Sequence, residues 1–192
     1  MTAIVLASSS KYRRQLLEKL GLDFLSCSSD VDESPHPDES PETLVSRLSI
    51  AKAAAVGKTY PNHLVIGSDQ VAVLGQEILG KPGRRDAAIQ QLAKQSGRTV
   101  QFYTGICVLN SATGRYLTDL DICSVHFKAL ESKQIQNYVD LDQPFDCAGS
   151  FKSEGLGIAL FSKIVGEDPN ALVGLPLIKL VALLGQFGVH IL

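Results

Sequence analysis

Two long β-rich runs, Thr99–Asn110 and Arg115–Lys128, are separated only by Ser111-Ala112-Thr113-Gly114. A four-residue turn between such runs predicts an antiparallel hairpin. The rest of the chain alternates strand and helix. Strand-like segments lie at Ile4–Ala7, Asp23–Cys27, His63–Leu74 and Ile158–Ile164. Helical periodicity covers Lys11–Leu20, Thr43–Val56, Arg85–Gln95, Glu131–Leu141 and Leu175–Leu184. A hairpin inside such an alternation does not fit a simple doubly wound parallel sheet. The expectation is an α/β protein with a mixed, curved central sheet, flanking helices and two lobes around a cleft.

Composition narrows the function. The chain has 192 residues, of which 45% are hydrophobic and 20% charged, enough for a packed core. Lys plus Arg is 18 and Asp plus Glu is 20, for a net charge of -2. That balance argues against a protein that coats a nucleic-acid polymer. It leaves room for a small anionic substrate, which needs only a few cations in one place. The apolar run Ala3–Ala7 is too short for a secretory signal, and no longer run is uninterrupted enough to cross a membrane. Cys27, Cys107, Cys123 and Cys147 form no CxxC pair and lie at no zinc-ligand spacing with His36, His63, His126 or His190. They read as reduced, mostly buried thiols of a cytoplasmic protein. The apolar segment Leu175–Leu184 suits a homodimer interface and equally suits core.

Four segments carry residues with chemical use. In Leu6-Ala7-Ser8-Ser9-Ser10-Lys11-Tyr12-Arg13 a strand ends, hydroxyls turn the chain and a helix begins. Backbone N–H groups at a helix start attract anions, and Arg13 can fork onto a phosphate. The same serines also suit an ordinary helix cap. Asp69 sits within Gly67-Ser68-Asp69-Gln70, in the middle of an apolar run. A carboxylate there is costly unless paired or metal-bound, or unless it lies at a β-turn or strand edge. Lys81 is fixed in place by Pro82. Glu33 lies in the acidic, proline-rich stretch Ser28–Pro41, where clustered carboxylates suit magnesium or simply face water. Lys52 is a lone cation among alanines, aimed into a cleft or merely snorkelling. There is no P-loop spacing, no complete dinucleotide fingerprint and no visible Ser/His/Asp triad.

Taken together and in this order, these segments resemble the Maf family of nucleotide pyrophosphatases. The resemblance rests on LASSSKYRRQLL at 6–17, Glu33, the alanine-rich helix with Lys52, and SDQVAVL with GKP across 68–82. It continues through SGRTVQFYTG at 96–105, DCAGSFKSEGLG at 146–157 and VGLPLIKL at 173–180. Many members carry histidine where this chain has Val100 and proline where it has Lys11.

The resemblance implies one Maf-like domain over 1–192, with the two-lobed fold related to inosine-triphosphate pyrophosphatases. It also implies hydrolysis of nucleoside triphosphates between the α- and β-phosphates, dependent on Mg2+ or Mn2+. It assigns Asp69 as catalytic base and as a metal-associated carboxylate together with Glu33. It assigns Ser8, Ser9, Arg13, Lys52 and Lys81 to phosphate binding. Nearby cations are expected to keep the Asp69 pKa low. Through Tyr12, Gln70 and Glu154 the chain is similar to members that act on 7-methyl-GTP. Members acting on dTTP and UTP carry Arg, Thr and Gln at those places. Glu154 suits the adjacent donors of guanine, and Tyr12 suits a positively charged methylated base. The alternatives are dTTP and UTP as substrates, or a nucleotide-binding regulator of cell division without turnover.

Overall fold

The computed structural model describes residues 3–192. The strands are β1 (Ala3–Leu6), β2 (Phe24–Ser26), β3 (His63–Leu74), β4 (Glu77–Leu79), β5 (Thr99–Asn110), β6 (Tyr116–Phe127) and β7 (Phe161–Val165). The helices are α1 (Lys11–Glu18), α2 (Pro41–Gly57), α3 (Arg85–Gln95), α4 (Ser132–Asp142) and α5 (Leu177–Gly185). The strands pair in the order β2-β1-β3-β5-β6-β7, with β4 on β3. β1 is parallel to β2 and β3, while β4 and β7 pair antiparallel, so the sheet is mixed. The expected turn joins β5 to β6: Asn110 takes the amides of Ala112 and Thr113 on its Oδ1, and Gly114 adopts φ +73°.

Packing divides the chain into two compact units. The first takes in residues 3–70 with Thr104–Asp121 and Asp168–Leu192; the second is Val71–Tyr103 with Ile122–Glu167. In the first unit, strand alternation sorts two cores. Ile4, Leu6, Leu64, Ile66, Ile106 and Val108 lie with Leu16 and Leu17 of α1 and Leu180 and Leu184 of α5. The intervening residues Val5, Ala7, Val65 and Cys107 lie with Ala53 and Val56 of α2. Coverage on both faces explains why these strands read as near-continuous apolar runs. The second unit is built on Phe102, Phe127, Phe151 and Phe161, whose rings meet edge-on at 4.7–5.6 Å.

Helix α2 lies at backbone contact with two strands. A Cβ added to Gly67 of β3 would stand 2.1 Å from the Ser49 carbonyl oxygen, and one on Gly105 of β5 would stand 2.5 Å from that of Val45. Val45, Ser49 and Ala53 form one i, i+4 row along the helix. Two glycines therefore admit that row against the sheet. Ser40 caps α2 by accepting the Thr43 amide, and Pro41 occupies its first turn. The helix also anchors the acidic loop before it. Arg47 grips Glu39 with two hydrogen bonds of 2.7 and 2.8 Å and donates a third, of 3.0 Å, to the Ser34 carbonyl. These bonds hold the Glu39 carboxyl down at about 2.

Three expectations need correction. β3 runs unbroken through Gly67–Gln70, so Asp69 lies inside a strand and not at a turn or edge. Continuous pairing there is possible because Gly67 fits under α2 and Asp69 finds a cation, as described below. Leu156–Leu160 is a 3-10 turn, and the strand begins only at Phe161. The cause is close approach: a Cβ on Gly157 would lie 2.4 Å from the Lys152 carbonyl oxygen. Cys27 and Cys147 are half-buried; only Cys107 and Cys123 are buried. α5 is core through Leu177, Leu180, Leu183 and Leu184, with Ile178 exposed. Among the described residues no helix is long and apolar enough to cross a membrane.

Gly67→Ala is expected to lower stability by about 2–3 kcal/mol in chemical denaturation, because backbone rather than a flexible side chain must move. Gly185→Ala, where a Cβ meets nothing within 4 Å, is expected to be neutral or mildly stabilising. Equal losses for the two would remove the close-packing argument. The Glu39–Arg47 pair sets a pH dependence. The folded pKa of Glu39 is depressed, so its contribution is complete above the unfolded value of about 4.3 and is lost as pH falls toward about 2. Thermal melts of wild type and Glu39→Gln should differ at pH 6 and converge only as pH falls to about 2.

Candidate active site

The site is built on β3, α2 and the turn after β1, all within the first unit. Asp69 shares a face of β3 with Gly67, and that is the face α2 covers. Lys52 lies on α2 beside Ala53, which packs on Gly67. Its Nζ donates to Asp69 Oδ1 at 2.6 Å and pairs with Glu33 Oε1, also at 2.6 Å. The Lys52 and Asp69 side chains are 7% and 9% exposed, whereas Glu33 is 59% exposed at the outer end. One ammonium thus joins a buried carboxylate to an exposed one.

The neighbouring residues of β3 face the other way. Ser68 donates from Oγ to the Gly174 carbonyl at 3.0 Å. Gln70 donates from Nε2 to Thr104 Oγ1 at 2.9 Å and to the carbonyls of Ala171 and Leu172 at 2.8 and 3.2 Å. Thr104 itself donates to the Ala171 carbonyl. Arg13 reaches the same turn from α1, donating from Nε to the Gly174 carbonyl at 2.9 Å. Gly174 has φ +114°, and a Cβ there would meet Arg13 Nε at 3.3 Å. Asp168 secures the turn by accepting from the Asn170 and Ile178 amides.

The serines divide their work. Ser8 is buried and accepts the Ser10 amide on its hydroxyl, Ser9 is exposed, and Ser10 caps α1 by accepting the Arg13 amide. Tyr12 is half-buried, and the Lys11 ammonium lies 4.9 Å from its ring centroid. A cation of the chain itself therefore occupies a face of that ring.

Electrostatics modify one expectation. Burial pushes the Asp69 carboxyl above its ordinary range; Lys52 and Arg13 oppose the shift, and Glu33 adds to it. The cations were expected to hold this group low, but desolvation outweighs them. A raised carboxylate is the better proton acceptor. Burial likewise lowers Arg13, against the pull of Asp69 and Glu33. A guanidinium keeps its charge under such a shift.

The structure therefore brings Glu33, Lys52 and Asp69 into direct contact, with Arg13 in their field. Lys81 and Glu154 belong to the second unit, and both are exposed. Lys81 lies in the turn after β4, where the Gly80 carbonyl accepts from Gln91 and the Gly83 amide donates to Phe145. Glu154 accepts a long bond of 3.4 Å from Ser153. Sequence reading missed Arg47 and Glu39, which hold the loop of Glu33, and Ser68, Thr104 and Gly174, which hold the turn of Arg13. Arg47 carried a signal: it stands on the same helix as Lys52, in an acidic setting. The turn's carbonyls carried none, because backbone acceptors leave no trace in side-chain identity.

Comparison with known proteins shows the family. The Maf-like protein family profile matches residues 3–187. The 7-methyl-GTP pyrophosphatase of Alcanivorax borkumensis is 57% identical over 188 residues, covering 98% of this chain and 95% of that one. The protein of the same name from Nitrosococcus oceani is 57% identical over 189 residues, with the same coverage. A HAM1 protein structure from Coxiella burnetii superposes with TM-score 0.49 and 16% identity, covering 66% of this chain and 73% of that chain. Near end-to-end identity with these curated relatives, under a profile spanning almost the whole sequence, places the chain in the Maf-like protein family.

Proposed function

We propose that the protein is a nucleoside triphosphate pyrophosphatase. It hydrolyses 7-methyl-GTP to 7-methyl-GMP and pyrophosphate, removing a modified nucleotide. The observation that carries this reading is the Glu33–Lys52–Asp69 contact with Arg13 in its field. It supplies cations for a polyphosphate and a carboxylate of raised basicity in one place. The substrate is taken from the names of the curated relatives.

A triphosphate shields its phosphorus with negative charge, so bound cations are the first requirement. Arg13 spends Nε on Gly174, which leaves the paired Nη groups for phosphate oxygens. Lys52 supplies a second charge, and Ser8 and Ser9 lie at the adjoining turn. Asp69 orients a water and accepts its proton as the α–β anhydride opens. The resemblance adds Lys81 as a further phosphate-binding cation and Glu154, Tyr12 and Gln70 as base-reading groups. Their support is residue identity, together with the exposed positions of Lys81 and Glu154.

Among the described residues no group of three or more His, Cys, Asp and Glu is arranged around a metal position. Glu33 and Asp69 nevertheless converge on one cation, the Lys52 ammonium. Two carboxylate oxygens fit Mg2+ or Mn2+, which completes its shell with water and substrate phosphates. Glu33 and Asp69 would hold that ion, which when bound neutralises phosphate charge.

Pyrophosphate release from 7-methyl-GTP, GTP, UTP and dTTP with Mg2+ tests the reading. Turnover should be fastest with 7-methyl-GTP and fall by roughly 10²–10⁴ in Asp69→Asn. Faster turnover of UTP would make this a pyrimidine-triphosphate enzyme, and saturable binding without product would make it a regulator. Glu154→Gln should erode the preference for 7-methyl-GTP over UTP chiefly through KM. An unchanged preference would remove Glu154 from base reading.

A further inference from the structure

The Lys52 ammonium stands where the two proposed metal ligands converge. It is 2.6 Å from both Glu33 Oε1 and Asp69 Oδ1. Its side chain is almost fully buried, on a helix pressed against the backbone of β3. The ammonium is therefore seated between the two carboxylates, with little of its side chain in water. A divalent ion drawing on those two oxygens meets a positive charge already seated between them.

Charge balance sharpens the conflict. Lys52 and Arg13 offset Glu33 and Asp69, so the cluster is neutral as it stands. A bare divalent ion leaves two uncompensated positive charges in a partly buried place, which is unfavourable. A triphosphate carrying its metal brings the anions that Lys52 can turn to. Lysine suits this exchange, because its compact charge and rotatable donors change partners without matching a fixed fork.

We propose that Lys52 is an exchangeable counter-ion. The metal takes Glu33 and Asp69 only as the nucleotide's phosphates take the Lys52 ammonium, so metal and nucleotide load together. The inference rests on the metal and triphosphate of the proposed function. It adds a coupling between them, and such coupling is reciprocal. It guards the site, since metal alone does not organise Asp69 and nucleotide alone does not release Lys52.

The test is Mn2+ binding to the full-length protein by calorimetry, without nucleotide. Removing the internal competitor in Lys52→Met should tighten Mn2+ binding by about tenfold relative to wild type, and Asp69→Asn in the same background should abolish the gain. In wild type, a GTP analogue with a methylene α–β bridge should tighten Mn2+ binding more than it does in Lys52→Met. Equal or weaker Mn2+ binding by a folded Lys52→Met would overturn the proposal. If that variant does not fold, NMR of the wild-type lysine ammonium groups decides. The Lys52 signal should stay in place with Mg2+ alone and move with Mg2+ plus the analogue. Movement with Mg2+ alone, or none with both, defeats the exchange. Either defeat leaves pyrophosphate release intact, whereas failure of the activity reading shows as no product from any triphosphate.

Discussion

Burying the Lys52 ammonium against Asp69 is the constraint on which the rest of the first unit turns. A charge pair in that setting is poor as a source of stability, because desolvation consumes much of the attraction. Leaving either partner alone would cost more. The pair therefore requires α2 and β3 to hold one fixed separation. Gly67 and Gly105 provide it by letting the Val45–Ser49–Ala53 row lie on the strand backbones. The alanines around Lys52 are what a helix needs at that distance. Burial also pushes Asp69 upward, so the geometry that makes the site costly makes its carboxylate a stronger base.

The strand itself separates two tasks by parity. Asp69 faces α2 and the acidic loop; Ser68 and Gln70 face the turn at Ala171–Gly174. Each side has its own anchor. Arg47 and Glu39 fix the loop that carries Glu33, and Asp168 fixes the turn that receives Arg13. A residue insertion in β3 would exchange the two faces. The uninterrupted pairing of β3 thus decides which groups meet.

Much of this was legible in the chain. The hairpin at 111–114, the helix over Arg85–Gln95 and the strand over His63–Leu74 follow from turn residues and periodicity, and the structure shows them at those bounds or within a residue. Asp69 drew notice because a carboxylate in an apolar run needs a partner, and Lys52 because a cation among alanines needs a reason. That they answer each other was not legible, since 17 residues separate them and only tertiary packing joins them. The upward shift of Asp69 is illegible for the same reason: sequence displays the cations but not the depth of burial. Ile158–Leu160 failed as a strand because its β-like composition yields to close approach at Gly157, a backbone contact that composition does not record.

Gln70, proposed to read the base, is tied to the turn that holds Arg13. Its amide nitrogen is committed to Thr104 and to two carbonyls of the 171–172 turn. That leaves Oε1 as the atom by which it can meet a base directly. Two residues further along the same turn, the Gly174 carbonyl positions Arg13, a cation proposed to grip phosphate. A side chain that shifts the turn therefore moves the guanidinium as well. On the proposed roles, a change at position 70 is not a local edit of base preference: it passes through the backbone segment that also positions Arg13. Exchange of Gln70 alone should then disturb turnover of every triphosphate, unless the residues receiving its hydrogen bonds change with it.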